Sequence, residues 1–297
     1  MFFPRKESEM TYAPFNLSTS AMLVELNISN WTARKLDKKV SEEVDASKAT
    51  KTRAGNYHKN LLAGSQALDA VIKYTNNARL WHHKQTLPWS DSGSRIITME
   101  NFLDYKAQLS ECENNYNRLV NNFLVAYPTL ISAAAFQLGD LFDRNEYPEP
   151  DLIAKKFRFS YLFSPLPNAG DFRVDIGEQA AKELVDQYEN TFNNRVQDAM
   201  KDIWDRVHDC LTHMSDRLAD KEDGERKGFH KTLLSNASEL IDLMQKLNIT
   251  KDPKLEAARK DLSQAILGVE IDELKESTHV RKHVKSQVDE ILGKFDW

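Results

Sequence analysis

The sequence predicts a mainly α fold: an elongated helical bundle with long coiled-coil-like helices and a small antiparallel β-sheet. Three observations predict it. Residues 178–223 contain neither Gly nor Pro, and Gly177 and Gly224 punctuate the two ends. The 297 residues include only 10 Gly and 9 Pro, which leaves few turns and favours long helices over a β-rich or dinucleotide-binding α/β fold. Period-two alternation of apolar residues is confined to residues 22–28 and 157–176, enough for one strand and one hairpin.

The long stretch is read first because the rest must pack on it. As a helix it makes a rod of roughly 60–70 Å. Apolar residues recur at Val185, Tyr188, Phe192, Val196, Met200, Trp204, Val207, Leu211, Met214 and Leu218. From Met200 the spacing alternates four and three, a heptad seam. Lys182, Glu183, Asp186, Glu189, Asp198 and Lys201 fall on the other face.

Taken in order, residues 1–20 lack periodicity and read as an N-terminal arm. Met22, Val24, Leu26 and Ile28 mark a strand. A basic helix is expected from Trp31, carrying Arg34, Lys35, Lys38 and Lys39, then Lys48, Lys51 and Arg53, with Glu42, Glu43 and Asp45 between them. A third helix is expected over 57–83, with Gly64 as a point of close approach. Trp81 and Trp89 flank a loop that contains Pro88 and a Ser/Asp/Gly turn, and would pin it to the body.

A fourth helix is expected from Met99 to Tyr127, with Phe102, Tyr105, Leu109, Cys112, Tyr116, Leu119 and Phe123 as its seam and Pro128 as its stop. The long 178–223 helix is its expected partner. A short helix follows over 129–142. Two alternating runs, 157–163 and 172–176, then form a hairpin that the 22–28 strand joins, because a lone hairpin is marginal in water. After a charged hinge at Gly224–Gly228, helices are expected over 229–247, 253–267 and 269–292. The domains read as an arm (1–20), a helical region with the sheet (21–177), and the long helix with the C-terminal helices (178–297), packed as one body.

Composition narrows the functions. Hydrophobic residues make up 41% and charged residues 29%, so a core can form. A net charge of −5 supplies no global basic field for nucleic acid. Cys112 and Cys210 fall on or near helix seams and read as buried thiols in a reducing compartment rather than a disulfide. The opening Met-Phe-Phe-Pro-Arg-Lys does not read as a signal peptide, and no uninterrupted apolar stretch approaches the roughly 20 residues of a membrane span. The chain therefore reads as cytoplasmic.

No catalytic, cofactor-binding or metal-binding residues are assigned. Gly224–Thr232 echoes a phosphate-binding loop, but its glycine spacing is short, Lys231 does not follow Gly228, and a helix rather than a strand precedes it. His279 and His283 are four apart beside Arg281, Lys282 and Lys285, whose charges would repel a cation. The chain reads as a non-enzymatic interaction protein. Its candidate partner-binding residues are Arg34, Lys35, Lys38 and Lys39, the tryptophans Trp81, Trp89 and Trp204, and the seam residues Leu211, Met214 and Leu218. Self-association through an uncovered seam is a further expectation.

The strand running into Trp31-Thr32-Ala33-Arg34-Lys35, and above all Ala78-Arg79 followed by Thr86-Leu87-Pro88-Trp89 and the Gly93/Arg95 turn, carry a resemblance. Together they resemble a family of tailed-phage and prophage proteins of similar size, whose genes often neighbour a MoxR-type AAA+ ATPase and a von Willebrand A-domain protein. The resemblance covers the first two-thirds or so of the chain, and the C-terminal third is generic helix. It implies an accessory of that ATPase, acting in the cytoplasm of an infected bacterium. No catalytic residues are established for the family, so none carries over. The alternative is a phage factor acting on host machinery, an inhibitor or nucleic-acid-binding protein, through the basic 34–53 region.

Overall fold

A computed structural model describes residues 17–167, 178–220, 227–295 and 297. The fold is mainly α with a small antiparallel sheet. A short helix, α1 (Leu17–Ser20), leads into β1 (Ala21–Ser29); β2 (Arg34–Leu36), α2 (Lys38–Ser47), β3 (His58–Asn60) and α3 (Gln66–Gln85) follow. Then come β4 (Leu87–Pro88), β5 (Arg95–Thr98), α4 (Met99–Leu138), α5 (Pro150–Ala154), β6 (Arg158–Pro165) and α6 (Glu178–Leu218). The C-terminal helices are α7 (Thr232–Lys246), α8 (Pro253–Ile266), α9 (Ile271–Glu276) and α10 (Thr278–Lys294).

The main sheet has the order β4-β5-β1-β6. Its β1–β5 register pairs Ala21 with Thr98 and Val24 with Arg95, and Leu87 of β4 faces Ile96 of β5. The segment expected to be a loop between Thr86 and Arg95 is thus two strands and a tight turn. Gly93, at φ +102°, makes that turn: its N–H donates to the Ser90 carbonyl, and the Ser94 carbonyl accepts from Trp89 and Ser90. The strand expected at 22–28 and the first strand of the expected hairpin are present as β1 and β6. The returning strand at 172–176 and most of the hinge at Gly224–Gly228 lie outside the described residues.

The basic helix does not start at Trp31. Ala33 takes a φ of +52°, and residues 34–36 pair instead with 58–60 as a two-stranded sheet. Only after Asp37, whose carboxylate accepts the Val40 N–H, does α2 begin. The third helix likewise starts at Gln66 rather than at 57, because Tyr57–Asn60 is committed to the β2–β3 pairing. Gly64 has φ +76° and open space around the position of a Cβ, so it is a turn residue and not a close-approach point. Near the C-terminus the single expected helix is two, because the Ser277 hydroxyl caps Val280 and restarts the chain as α10.

The largest departure concerns the two long helices. Helix α4 runs through Pro128 to Leu138. Proline removes one helical hydrogen bond at a cost of about 3 kcal/mol. The buried stripe continues past it as Tyr127, Ile131 and Ala134, and that burial offsets the loss. The stripe is Tyr105, Leu109, Cys112; Tyr116, Val120, Phe123; Tyr127, Ile131, Ala134. It is one four-three-four pattern repeated every eleven residues, with Val120 buried where the heptad reading had Leu119. On α6 the same pattern gives Val196, Met200, Ile203; Val207, Leu211, Met214; Leu218, with Ile203 fully buried and Trp204 only half so. An eleven-residue repeat has 3.67 residues per turn, close to the relaxed 3.6. It therefore does not impose the left-handed supercoil of a heptad.

The chain forms two units, and neither is contiguous. One comprises Met1–Glu25, Lys84–Leu103 and Phe163–Trp297; the other comprises Leu26–His83 and Asp104–Leu162. The boundaries fall inside β1, α3, α4 and β6.

In the first unit, α6 packs on α10 and α7, and α7 and α10 pack on α8. The α6 stripe joins Leu233, Leu240 and Met244 of α7, Leu255 and Leu262 of α8, and Val284 and Val288 of α10 in one cluster. Buried Arg281 closes the end of α6. Its guanidinium donates to the carbonyls of Arg217, Leu218 and Ala219 at 2.9–3.2 Å and to Lys227 at 2.8 Å, and it lies over the Phe229 ring. The first three are carbonyls at the C-terminal end of a long helix, the negative end of its dipole. At the other flank, Arg206 donates to the carbonyls of Lys84 and Thr86, fastening α6 to the α3–β4 junction.

In the second unit the α4 stripe finds its partners locally, rather than on the long α6 helix expected for it. Tyr105 stacks on Trp81 at 4.9 Å, Tyr116 meets Phe159, and Phe123 meets Phe157 and Trp31. The three tyrosines are eleven residues apart and each hydroxyl is bonded. Tyr105 pairs with His82 Nδ1 at 2.7 Å, Tyr116 donates to the Ser29 carbonyl at 2.7 Å, and Tyr127 donates to the Pro148 carbonyl at 3.0 Å.

Burial pushes the Tyr116 and Tyr127 phenols up to about 12. A phenol whose folded pKa exceeds its unfolded value of 10.0 contributes stability that is intact below pH 10 and lost as pH rises toward 12. Denaturant midpoints followed from about pH 8 to about pH 11 should therefore fall above about pH 10, with less fall in the Tyr116→Phe, Tyr127→Phe double variant.

Candidate functional site

The basic edge of the second unit is built on β2, α2 and the turn between them. Arg34, Lys35, Lys38 and Lys39 are all solvent-exposed, as are Lys48 and Lys51. Lys38 and Lys39 occupy the first turn of α2, where the helix dipole disfavours cations, so their charge is turned outward rather than used for stability. Acidic residues dilute the field: seven basic residues stand against four acidic ones between Arg34 and Arg53. Lys35 lies 3.6 Å from Glu146, and Arg53 lies 3.6 Å from Glu42.

Beneath this edge sits an ion cluster that periodicity did not reveal. Lys59 is 5% exposed; its ammonium contacts Glu146 at 2.6 Å and Asp37 at 3.3 Å, and donates to the Leu141 carbonyl at 2.9 Å. Burial works against the Lys59 charge, but the Glu146 and Asp37 carboxylates outweigh it and hold its pKa above the ordinary value. The Val40 N–H, with Lys59 behind it, holds the Asp37 carboxyl below the ordinary range despite some desolvation. Ser41 completes the clasp: its hydroxyl donates to the Asp37 carbonyl and accepts the Tyr57 N–H. One buried ammonium thus joins β3, the cap of α2 and the turn after α4.

The other residues singled out in the sequence are structural. Leu211 and Met214 are fully buried and Leu218 is 2% exposed, all inside the α6 cluster, so they offer no free surface. Trp204 directs its indole N–H to Asp252, the cap of α8, and packs its ring against Phe295 and Trp297. Trp89 is buried against Phe192 with Arg195 over its ring. Trp81 stacks on Tyr105.

A further exposed feature is the outer face of α4. From Leu119 to Gly139 the chain carries no charged residue. Its inner stripe is buried, but Val125 is 83% exposed and Phe136 is 90% exposed. Asn121, Asn122, Pro128, Thr129, Ser132 and Ala133 are exposed as well. At 100° per residue, Asn121, Val125, Thr129, Ser132 and Phe136 share one side of the helix. Burying a Phe or a Val side chain is worth about 1.5–3 kcal/mol each, so this side gains from a partner. The segment Met99–Leu141 is long and apolar enough to cross a membrane by length and composition alone, with 22% of its most apolar window buried, a test that the core helix of a soluble protein also passes. Its anchored tyrosines fix the opposite side of the helix into the second unit.

Two surface grooves lie in the first unit. One, of about 410 Å³, is lined by His213, Arg217, Phe229, His230 and Thr232, and the other, of about 250 Å³, by Trp89, Tyr188, Phe192 and Arg195. Among the described residues, no three His, Cys, Asp or Glu side chains converge as a metal site would require. Both cysteines are free, and burial pushes the Cys210 thiol up to about 11, away from a reactive thiolate.

Lys59→Met is expected to destabilise the chain by about 3–5 kcal/mol, because it leaves Glu146 and Asp37 without their buried partner. The loss should be largest between the carboxylate and ammonium ranges. It should shrink as pH falls through the Asp37 pKa, below 3.8, or rises through the Lys59 pKa, above 10.5, where the wild-type pair itself is lost. Chemical denaturation across pH checks both statements.

No known protein-family model, curated protein or solved structure matches this chain.

Proposed function

We propose that this chain is a non-enzymatic interaction protein that works by docking other protein chains. The observation that carries the reading is the uncharged outer face of α4, with Val125 and Phe136 almost fully exposed. Large apolar groups set among small neutral side chains are what the centre of a protein interface needs, because charged residues are depleted there. The partner implied by the resemblance at Thr86-Leu87-Pro88-Trp89 is a MoxR-type AAA+ ATPase, with a von Willebrand A-domain protein as a further component, in a phage-infected bacterial cytoplasm.

Co-expression with a MoxR-type ATPase of the kind the resemblance implies is expected to give a complex that survives purification and alters ATP turnover. Phe136→Glu, a change at an exposed position, should abolish co-purification while leaving the thermal midpoint within about 2 °C of wild type. No complex and unchanged turnover would sink the reading.

A second reading rests on the exposed run Arg34, Lys38, Lys39, Lys48 and Lys51. It makes the chain a factor that binds nucleic acid at the α2 edge, with phosphates neutralised by these side chains. Binding should then weaken steeply with salt, and the Lys38→Glu, Lys39→Glu double variant should flatten that dependence by about 2 in logarithmic slope. Titration of labelled single- and double-stranded DNA and RNA at two salt concentrations decides it, and no binding at low salt excludes it.

A further inference from the structure

Resting on the second reading above, of the α2 edge as a nucleic-acid surface, we propose that the edge takes single strands. Unpaired bases stack on Tyr57 and His58, and Lys38 and Lys39 hold the phosphates. Local charge, the two faces of the β2–β3 pair and the flat side chains beside it select that ligand.

The charge is more one-sided than a count of acids suggests. Glu146 and Asp37 balance Lys35 and Lys59, and Glu42 balances Arg53. Arg34, Lys38, Lys39, Lys48 and Lys51 make no ion pair among the described residues. Against them stand Glu43 and Asp45, and the Asp45 carboxylate accepts the Ala54 N–H at 3.2 Å. The edge therefore carries three positive charges in excess on a chain whose net charge is −5. A polyphosphate is drawn to this edge and not to the surface at large.

The β2–β3 pair separates its side chains by face. The register sets Lys35 opposite Lys59, Arg34 opposite Asn60 and Leu36 opposite His58, and alternation puts the first pair on one face and the other two on the opposite face. The lysine face is turned to Glu146, which contacts both ammonium groups. Arg34, His58 and Asn60 are all exposed. The pair then runs into the first turn of α2. The Asp37 N–H donates to the Tyr57 carbonyl at 2.9 Å, and the Tyr57 N–H donates to the Ser41 hydroxyl at 2.9 Å. The Tyr57 backbone is thus clamped to the turn that carries Lys38 and Lys39.

The flat side chains of this edge serve no internal contact. Tyr57 is 40% exposed, and among the described residues it joins no ring pair and its hydroxyl no hydrogen bond. Tyr116, Tyr127 and Tyr147 of the same unit all donate to backbone carbonyls. The His58 ring and the Arg34 guanidinium are unpaired as well. Exposed rings beside cations suit bases whose faces are free, and a duplex covers those faces with neighbouring base pairs. Tyr57 and His58 are consecutive and point to opposite sides of the strand, so each takes its own base.

Fluorescence anisotropy of the full chain tests this, with labelled single-stranded DNA and RNA of about 16 nucleotides and the matching duplexes as probes. Single strands are expected to bind at least about ten-fold more tightly than duplexes at the same salt. Tyr57→Ala should weaken single-strand binding by roughly five- to hundred-fold, and His58→Ala by about five-fold or more. Tyr57→Phe should bind like wild type, because it keeps the ring. The dependence of affinity on salt should be unchanged in Tyr57→Ala, and flattened in the Lys38→Glu, Lys39→Glu double variant, since only the latter removes phosphate contacts. Circular dichroism verifies that each variant is folded, and if Tyr57→Ala is not, His58→Ala carries the test.

Duplexes bound as tightly as single strands overturn the inference while the nucleic-acid reading stands. Single-strand binding indifferent to both Tyr57→Ala and His58→Ala does the same, since the bases then lie elsewhere. No binding of any probe at low salt overturns both. A preference for DNA or for RNA among the single strands supports the inference and identifies the sugar.

Discussion

A helix of forty residues must commit one narrow side to burial, and the two longest helices here meet that constraint with the same four-three-four stripe repeated every eleven residues. On α4 it runs from Tyr105 to Ala134, and on α6 from Val196 to Leu218. The repeat of 3.67 residues per turn keeps the buried side nearly straight along the axis, so short elements can cover it. That is what each unit supplies. In the second unit the cover comes from α3, Trp31 and the Phe157–Phe159 segment; in the first it comes from α7, α8 and α10.

Burial supplies the gross stabilisation, and buried polar groups fix which arrangement is adopted. Three tyrosine hydroxyls on α4 must each reach a partner or forfeit about 1–3 kcal/mol, so the helix cannot slide along its own axis. Arg281 imposes the same kind of constraint at the end of α6. Its donors are spread over four backbone carbonyls, three of them the terminal acceptors of the helix, and the chain at Lys227 is drawn to the same point. Lys59 acts likewise in the second unit, where one ammonium meets two carboxylates and a carbonyl from two segments distant from it in sequence, Asp37 and the Leu141–Glu146 stretch. A buried charge is a weak source of net stability but a strong selector of geometry, since any other arrangement leaves it unpaired.

The surfaces left over differ in kind. The basic edge around α2 is strongly hydrated, interleaved with acids and partly paired, so its contribution to binding falls with salt. The outer side of α4 is neutral, and its apolar groups lose little by leaving water. Docking through it, as proposed, would be governed by shape and burial. A partner recognised there responds to a single change at Phe136 more than to ionic strength.

The sequence by itself determined the helical class, the first strand, the aromatic strand and the gross extent of the 178–218 helix, because these follow from periodicity and from local hydrogen-bonding chemistry. It also contained the eleven-residue stripes. A heptad template chose Leu119 and Trp204 where burial chose Val120 and Ile203, since a period of 3.5 drifts off a straight helix within a few turns. Only the tertiary structure decided that Pro128 is carried through, because the energy holding the helix together there comes from Tyr127, Ile131 and Ala134 packing outside it. Only tertiary structure turned Arg34–Leu36 into a strand, whose backbone partner lies beyond α2. The candidate site divided in the same way. That residues 119–139 are uncharged is plain in the sequence, but which side of that helix remains in water depends on contacts made by chain far away, and so does the burial of Leu211, Met214 and Leu218.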